Sequence, residues 1–277
     1  MLIATWNVNS IRSRLEQIEE WLSFSKPDLL CLKEPKVENK SFPSNFFEAK
    51  GYQVFYSGQK AYNGVAFISN QPLEDVKIGF SSELKDDLEA EKLSEQKRII
   101  SCLINGVRVV NVYVPNGSSL NSDKYIYKIK WLNCLAKYLK QQELRNEPLC
   151  LLGDFNIALK DKDIHTPNKL SGGIMASNEE RAALKTVLSE RLEDVFRIFE
   201  SGENYWTWWN YRHSSWERDR GWRIDHIYLC EELLSNANSC VIDKKVRGNV
   251  QPSDHVPVMV DINWPPEEND ENDQFFL

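Results

Sequence analysis

The sequence predicts an α/β fold built on mixed β-sheets, and three observations support this prediction. Short apolar runs rich in β-branched and aromatic residues alternate with segments whose apolar residues recur at helical spacing. Some neighbouring runs are joined by a tight turn, as at Asn105 and Gly106, whereas others are separated by a helical segment. The 277 residues contain no interior linker or short repeat. We therefore expect one α/β sandwich domain, residues 1–264.

Ten segments are predicted as strands from their apolar and β-branched content. They are residues 2–6, 29–32, 54–56, 65–69, 99–104, 107–114, 149–152, 205–209, 224–229 and 256–262. Three helices are predicted from signals at their N-termini. Ser13 with Glu16 and Ser177 with Glu180 have the spacing of a capping box, and a third helical pattern follows Ser122.

Charge is distributed unevenly along the chain. There are 34 Lys and Arg against 41 Asp and Glu, a net charge of −7, which looks unfavourable for binding a polyanion. Residues 81–96 carry −4, and residues 267–277, after Pro265 and Pro266, carry −5. Without these two segments the rest of the chain is mildly basic, at +2. We expect residues 265–277 to form an acidic, disordered tail.

Composition excludes several classes of protein. No stretch approaches the roughly 20 apolar residues of a membrane-spanning helix, and the first residues have no basic leader with an apolar signal core. The six cysteines are far apart and form no Cys-x-x-Cys pair. These features predict a cytoplasmic protein without membrane association, without a disulfide framework and without a zinc cluster.

Polar side chains stand at the ends of several predicted strands. They include Asn7, Glu34, Tyr113, Asn116, Asp154, Asn156 and Asp225, and Asp254 with His255 precedes the last strand. Taken singly, each has an ordinary explanation as a turn cap, an Asx turn, a solvated charge or a structural histidine. Strand ends that lie side by side can instead bring such groups into one crevice, where open α/β sheets commonly form their sites.

The motifs that contain these residues resemble a known family. In chain order they are Trp6-Asn7-Val8-Asn9, Leu32-Lys33-Glu34-Pro35-Lys36, Tyr113-Val114-Pro115-Asn116, Gly153-Asp154-Phe155-Asn156, Gly221-Trp222-Arg223-Ile224-Asp225 and Ser253-Asp254-His255. Together they resemble the exonuclease III type of apurinic/apyrimidinic endonucleases, within the endonuclease/exonuclease/phosphatase superfamily. The resemblance covers residues 3–264.

The resemblance implies a four-layer α/β sandwich, in which two mixed sheets pack face to face with helices on the outside. It also implies a monomeric DNA-repair nuclease. With Mg²⁺, such an enzyme hydrolyses the phosphodiester 5′ to an abasic site in double-stranded DNA and leaves a 3′-hydroxyl. Activities as a 3′–5′ exonuclease and as a 3′-phosphatase at DNA 3′ ends are implied as well, and the balance among the three stays open.

A divalent-metal site is implied by the same resemblance. Its candidate ligands are Asn7, Glu34, Asp154, Asn156, Asp254 and His255. Independently of the family, carboxylate and amide oxygens without thiolates suit Mg²⁺ or Mn²⁺ better than zinc. Whether one ion or two bind is left open.

The implied catalytic residues are Tyr113, Asp154, Asn156, Asp225 and His255. Asp154 would position and deprotonate the attacking water, while Asn156 and His255 would stabilise the phosphate. Asp225 would orient His255 and favour its cationic form. Tyr113 would reach the phosphate or the leaving group through its hydroxyl.

A stretch rich in tryptophan and arginine, residues 205–223, indicates a DNA-binding surface. A buried core strand is the alternative explanation for Trp206 and Trp209. The resemblance implies that a small pocket for a base-free sugar is walled by Trp208, Trp222 and Ile224. The residues expected to contact the DNA backbone are Asn116, Arg212 and Lys36, and further basic residues such as Lys128 are candidates.

The sequence departs from the family at two places, and two other functions stay open. Lys33 and Pro35 flank Glu34 where many family members have Gln and Thr, and no arginine follows Asn116 to insert into the duplex. One alternative is a phosphodiesterase or phosphatase of the same superfamily that acts on RNA, an inositol phosphate or a lipid. The other is a non-catalytic, DNA-binding relic, against which the presence of Asp154 and His255 argues.

Overall fold

The computed structural model describes residues 1–266, which contain two six-stranded β-sheets. The strands are β1 (Leu2–Asn7), β2 (Leu29–Lys33), β3 (Gln53–Gln59), β4 (Tyr62–Ser69), β5 (Glu74–Ile78), β6 (Ile99–Ile104), β7 (Val107–Tyr113), β8 (Leu149–Asp154), β9 (Glu193–Asp194), β10 (Asp225–Leu229), β11 (Ala237–Ile242) and β12 (Val258–Ile262). The α-helices are α1 (Leu15–Ser25), α2 (Ser44–Glu48), α3 (Leu88–Ser94), α4 (Asp123–Glu143), α5 (Pro167–Leu170), α6 (Asn178–Leu188), α7 (Val195–Phe199) and α8 (Glu231–Leu234). Short 3-10 helices cover Asn39–Ser41, Phe80–Ser82, Asp161–Asp163 and Lys244–Gly248.

Both sheets are mixed, as the hairpin and crossover connections predict. The strand order is β11-β12-β1-β2-β4-β3 in the first sheet and β5-β6-β7-β8-β10-β9 in the second. The pairs β1–β2 and β7–β8 are parallel, and the other pairs are antiparallel. The parallel pairs are connected through α1 and α4, because a parallel connection has to cross over the sheet.

The two sheets pack face to face, and helices cover their outer faces. Between the sheets lies an apolar core, to which Cys31 and Phe67 contribute from the first sheet and Val109 and Leu152 from the second. The outer face of the second sheet packs against α4 and α6, and the outer face of the first sheet packs against α1 and α2. The predicted four-layer α/β sandwich is therefore confirmed.

Strand register brings the candidate site residues to one edge of the sandwich. Asp225 at the start of β10 lies opposite Asp154 at the end of β8, because these strands are antiparallel. Tyr113 at the end of β7 lies beside Asp154, because those strands are parallel. In the first sheet Asn7 pairs with Lys33, the residue before Glu34.

The strand predictions need two corrections. Residues 205–209 do not form a strand, and Trp208 makes isolated bridges with Trp222 and His255. Trp208 pairs with one residue just before β10 and one just before β12, so this segment contacts the ends of two strands and joins neither sheet. The pattern also missed β5, β9 and β11, which are all edge strands. Edge strands keep polar residues toward water and therefore give a weak apolar signal.

Capping signals predict two of the three helix starts correctly. The hydroxyls of Ser122 and Ser177 cap α4 and α6, and Glu180 completes a capping box at α6. The first helix begins after Arg14 and has no side-chain cap. The hydroxyl of Ser13 lies instead 3.1 Å from that of another serine, Ser10.

Of the two acidic segments, only residues 81–96 lie wholly within the part of the chain that the structure describes. Residues 81–96 contain α3, which is capped by Asp87 and buries Ala90 and Leu93. Of the predicted disordered tail, residues 265–277, only the two prolines are described, and the rest lies outside the described residues. The domain boundary stays a prediction. Within residues 1–266, none of the helices is both long enough and apolar enough to cross a membrane.

Candidate active site

An amide at the end of β1 joins two carboxylates from different sheets. Nδ2 of Asn7 donates hydrogen bonds to Oε1 of Glu34 and to Oδ2 of Asp154, both at 2.9 Å. Asn7 and Asp154 are buried, and Glu34 is partly exposed. Asn7 ends β1, Glu34 follows β2 and Asp154 ends β8. The strand ends that were predicted to converge therefore do so at this point.

His255 lies between two aspartates. Its Nδ1 is 2.7 Å from Oδ2 of Asp225, and its Nε2 is 3.7 Å from Oδ2 of Asp154. Burial by itself favours the neutral imidazole, but the two carboxylates outweigh burial and raise the pKa of His255 to about 10. Burial raises the pKa of Asp154 to about 7, against the attraction of His255. The pKa of Asp154 is therefore well above that of an ordinary aspartate, as is common for reactive carboxylates.

Glu34 is held in its ionised form. Burial favours protonation, but Lys36, 2.8 Å away, and hydrogen bonds from Asn7 and Tyr113 keep the pKa of Glu34 below its usual value. The hydroxyl of Tyr113 donates to Oε1 of Glu34 at 2.6 Å. Burial and the charge of Glu34 raise the pKa of Tyr113 well above its usual value. Tyr113 is therefore a protonated phenol at the edge of the site.

Asp254 is bound to a different set of partners. Its Oδ1 accepts a hydrogen bond from Nδ2 of Asn9, and its Oδ2 accepts one from Nε1 of Trp208, both at 2.9 Å. Oδ1 of Asn9 accepts a hydrogen bond from Lys36, the cation that also pairs with Glu34. Sequence reasoning missed Asn9, although it is the second asparagine of an Asn-x-Asn motif whose first member was assigned.

The donor atoms at this edge fit a hard divalent cation. Glu34 and Asp154 both accept from Nδ2 of Asn7, while Oδ1 of Asn7 accepts from the backbone N–H of Asn9 at 3.0 Å, so the two carboxylates supply the oxygen atoms at this point. A second group of ligand atoms, from Asp154, Asp225 and His255, is buried and lies within 4.8 Å of one another. Oxygen-rich sites of this kind suit Mg²⁺ or Mn²⁺.

Asn156 occupies a tight turn that follows β8. Its backbone N–H donates to Oδ1 of Asp154 at 2.9 Å, and its φ is +50°. Its Nδ2 donates to the carbonyl oxygen of Val114 at 3.0 Å, and its Oδ1 accepts from Nδ2 of Asn116 at 2.9 Å. Asn116 and Asn156 were assigned separate roles from the sequence, and the fold brings them together as a hydrogen-bonded pair.

A cavity of about 340 Å³ lies beside this pair and is lined by Trp208 and Trp222. Ile224 is buried in one apolar cluster with Trp222 but does not line the cavity. Met175 does line it, and its Sδ is 3.6 Å from Nδ2 of Asn116. No pattern in the sequence singled out Met175, because a lone methionine in a loop gives no signal.

Several residues assigned to a DNA surface are buried instead. Trp206 and Trp209 belong to the apolar cluster over the first sheet, as the alternative explanation held. Arg223 is 1% exposed, so it does not contribute to a basic surface. Lys128 is 0% exposed, and the expectation that it contacts phosphate is wrong. Arg212, in contrast, lies exposed in the loop that follows Trp209.

Two cationic side chains beside the site were not assigned by sequence reasoning. The guanidinium of Arg98 lies 4.5 Å from the ring centroid of Tyr113 and donates to the carbonyl oxygen of that residue at 3.2 Å. Lys33, where family members often have Gln, is fully buried and donates to the hydroxyl of Thr5. Burial lowers the pKa of Lys33 to about 8.

Comparison with known proteins shows where this arrangement belongs. Residues 4–255 match the model of the Endonuclease/Exonuclease/phosphatase family. The chain belongs to this family. Among curated family members, the Exodeoxyribonuclease III of Haemophilus influenzae is 30% identical over 274 residues, which cover 95% of this chain and 100% of that protein.

Solved structures of similar proteins agree with this membership in the endonuclease/exonuclease/phosphatase family. A 3′ phosphatase from Neisseria, bound to a product DNA hairpin, is 36% identical with a TM-score of 0.89, covering 95% of this chain and 100% of that chain. An AP endonuclease from Archaeoglobus fulgidus is 39% identical with a TM-score of 0.87, covering 95% and 99%. The predicted resemblance and the enzyme class, a hydrolytic nuclease or phosphodiesterase, are confirmed. The roles of individual residues stay predictions.

Proposed function

We propose that this protein is a DNA-repair nuclease that hydrolyses phosphate esters at abasic sites and at 3′ ends of double-stranded DNA. One observation carries the proposal: Glu34, Asp154, Asp225 and His255 converge at the edge where strands of both sheets meet. Relatives named exodeoxyribonuclease III, 3′ phosphatase and AP endonuclease support DNA as the substrate.

Asp154 is the proposed general base. Such a base works best when its pKa lies near the working pH, and burial raises the pKa of Asp154 to about 7. Hydrogen bonds from Asn7 and from the backbone of Asn156 hold one carboxylate oxygen each. The carboxylate is therefore oriented before water arrives, and its ionised form would accept the proton of the attacking water.

The phosphate is proposed to lie against His255 and Asn156. Asp225 holds Nδ1 of the charged His255, so Nε2 is left to donate to a phosphate oxygen. One N–H of the Asn156 amide is bound to Val114, which leaves the other for the phosphate. Donors fixed in this way stabilise the negative charge that develops in the transition state. Tyr113, which keeps its proton, would donate a hydrogen bond from its hydroxyl to the leaving oxygen.

A divalent cation, Mg²⁺ or Mn²⁺, is proposed at Glu34, with Asn7 and Asp154 beside it. Asn156 and Asp254 are the further proposed ligands, whereas the charged His255 has no lone pair for a cation, so this candidate ligand is not among them. When bound, the cation would act as a Lewis acid toward the phosphate and offset part of the negative charge of the site. Lys36 pairs with Glu34 in the described structure and would share that carboxylate with the cation.

The cavity lined by Trp208 and Trp222 is proposed to receive the sugar of an abasic site, with Ile224 behind its wall. Apolar walls suit a sugar without a base, and an abasic nucleotide is easy to flip out because it has no base to unstack. The proposed contacts with the DNA backbone are Asn116, Arg212 and Lys36. A monomeric state and a cytoplasmic location stay predictions.

The test uses three end-labelled duplexes: one with an internal abasic site, one with a blunt 3′ end and one with a 3′-phosphate. We expect Mg²⁺-dependent cleavage of all three and loss of every activity on chelation. Activity that survives chelation would contradict the proposal. If DNA is untouched while RNA, an inositol phosphate or a lipid is hydrolysed, the alternative within the superfamily is correct.

A further inference from the structure

A buried lysine lies beneath two loops of the candidate active site. Lys128 is on α4, and its side chain is 0% exposed. Its Nζ donates to the carbonyl oxygen of Asn156 at 2.8 Å, to the carbonyl oxygen of Asn116 at 3.3 Å and to Oε1 of Glu180 at 2.5 Å. An ammonium has three N–H donors, and all three have acceptors here. One side chain therefore joins the loop after β7, the loop after β8 and the first turn of α6.

Glu180 extends this connection to a third loop, the one before α6. Its Oε1 also accepts from the backbone N–H of Met175 at 3.1 Å. Its Oε2 accepts from the backbone N–H and the hydroxyl of Ser177, at 3.0 and 2.7 Å. Met175 lines the cavity together with Trp222. The same ion pair therefore holds a wall of the cavity as well as the two asparagine loops.

Stability alone does not account for an ion pair at this place. A buried pair usually contributes little more than apolar side chains of the same volume, because both charges have to be desolvated. An ammonium, however, makes directional bonds to several carbonyl oxygens at once, which an apolar side chain cannot do. Two of the anchored residues also have left-handed backbones, with φ of +50° at Asn156 and +66° at Met175. Such conformations persist when the surroundings fix them.

We propose that Lys128, paired with Glu180, is a positioning residue for the hydrolytic reaction. It fixes the backbone of Asn156 and Asn116, and through them the side-chain amide of Asn156, the proposed phosphate donor. The inference rests on the proposed function, because that function gives Asn156 its role. Lys128 itself does not touch the substrate. A displacement of about 1 Å at a reacting group can cost on the order of 10²-fold in rate, so an anchor at this point has a large effect.

Steady-state kinetics on the 3′-phosphate duplex test this positioning role. Lys128→Met removes the ammonium and keeps most of the volume. We expect kcat to fall by about 10–100-fold, because a reacting group displaced by about 1 Å can cost on the order of 10²-fold in rate. KM should change little, because the substrate contacts remain. Lys140→Met, an exposed lysine on the same helix, is the matched control and should leave kcat unchanged.

A double-variant cycle asks whether Lys128 acts through Asn156. Asn156→Ala alone should lower kcat by about 10²–10³-fold. Adding Lys128→Met to that variant should lower kcat little further, because residues that act as a unit are not additive. A full-size loss in the Asn156→Ala background, or no loss in the parent, would overturn the inference.

Hydrogen exchange of the metal-free protein gives a readout that does not depend on activity. Lys128→Met should speed exchange in residues 113–117, 155–158 and 172–177, and Lys140→Met should not. Unchanged exchange in these loops would overturn the anchoring. If the parent protein cleaves no DNA, the proposed function fails while exchange still tests the anchor. If Lys128→Met does not fold because Glu180 is left as a buried unpaired charge, the double variant with Glu180→Gln takes its place in both tests.

Discussion

Two clusters of largely buried charge meet at the start of β10 and differ in how closely each carboxylate is paired with a cation. The acidic cluster consists of Glu34, Asp154, Asp225 and His255. The arginine cluster consists of Asp163, Asp194, Arg197 and Arg223. Arg223 and Asp225 are only two residues apart at the start of β10, yet each belongs to a different cluster.

The arginine cluster is balanced. Arg223 binds Asp163 through Nε at 2.8 Å and Asp194 through Nη2 at 2.6 Å, and Arg197 binds Asp163 as well. Burial opposes ionisation of Asp163, but Arg223 outweighs it and holds the pKa of this carboxyl well below its usual range. Each buried charge has an opposite partner, so the cluster is stable in its ionised form.

The acidic cluster is matched less closely. Its three carboxylates face the imidazole of His255, the partly exposed Lys36 and the buried Lys33, but Lys33 donates to the hydroxyl of Thr5 and His255 Nε2 stays 3.7 Å from Asp154. Two histidines report the difference between the clusters. His255, between two aspartates, has a pKa raised to about 10 in spite of burial. His226 has a pKa lowered to about 4, first by burial and then by Arg223. Burial of charge is therefore common to structural and reactive sites, whereas a buried carboxylate without a hydrogen-bonded cation, Asp154, is found only in the cluster proposed to be reactive.

The largest expected effect is the loss of activity in Asp154→Asn. Removal of the base should lower kcat by about 10⁴-fold, the upper end for general base catalysis. Stability of the metal-free protein at pH 7.5 should not fall, because a carboxyl whose pKa is raised to about 7 destabilises the fold once the pH exceeds its unfolded pKa of about 3.9. Phosphate release and urea denaturation measure the two quantities. A large loss of stability with activity retained would show that Asp154 is a structural residue and not the general base.

Asp163→Asn should have the opposite outcome. It leaves Arg223 without a full counter-charge in the core, so the free energy of unfolding should fall by about 3–5 kcal/mol. The kcat of the folded fraction should stay within about tenfold of the parent, since Asp163 does not touch the phosphate. Asp161→Asn, which breaks a surface pair with Arg181, is the control and should cost less than about 1 kcal/mol. An inactive but stable Asp163→Asn protein would count against a structural role.

The next effect is a pH dependence of stability that comes from His226. Its folded pKa of about 4 lies below the unfolded value of about 6.5, so it favours the folded state fully above pH 6.5 and loses this contribution as the pH falls toward 4. Between pH 7 and 5 the loss should be about 2 kcal/mol. His255 has the opposite sign, because its raised pKa stabilises the fold below pH 6.5 and stops doing so as the pH rises toward 10. Unfolding of the parent and of His226→Gln measures this, and equal slopes would refute it.

The smallest expected effect concerns the cavity beside the acidic cluster. Trp222→Ala should lower the preference for an abasic duplex over an intact one by about tenfold, the range given by the shape of an apolar pocket. Trp216→Ala is a matched control, because Trp216 belongs to the same aromatic stretch but does not line the cavity. The ratio of the two rates is compared rather than the rates themselves, so a general loss of stability cancels. An unchanged ratio would rule out the sugar pocket.

Much of the fold and part of the site followed from local patterns. The caps Ser122 and Ser177 and the polar residues after the strands were readable because they depend on near neighbours in sequence. Lys128 and Arg223 were misassigned, since a basic residue has the same appearance in sequence whether it is buried or exposed. Asp163 gave no signal at all, although it is the centre of the arginine cluster.

By itself the sequence determined the α/β class and the kinds of groups that stand at the strand ends, because strand periodicity and helix capping are local properties. Tertiary structure decided which charges meet. Asn7 bonds to Asp154 across 147 residues, and Arg223 bonds to Asp163 across 60. The pKa of a buried group follows from burial and from the charges that the fold brings next to it. The contrast between Asp154, whose pKa is raised, and Asp163, whose pKa is lowered, therefore exists only in the folded chain.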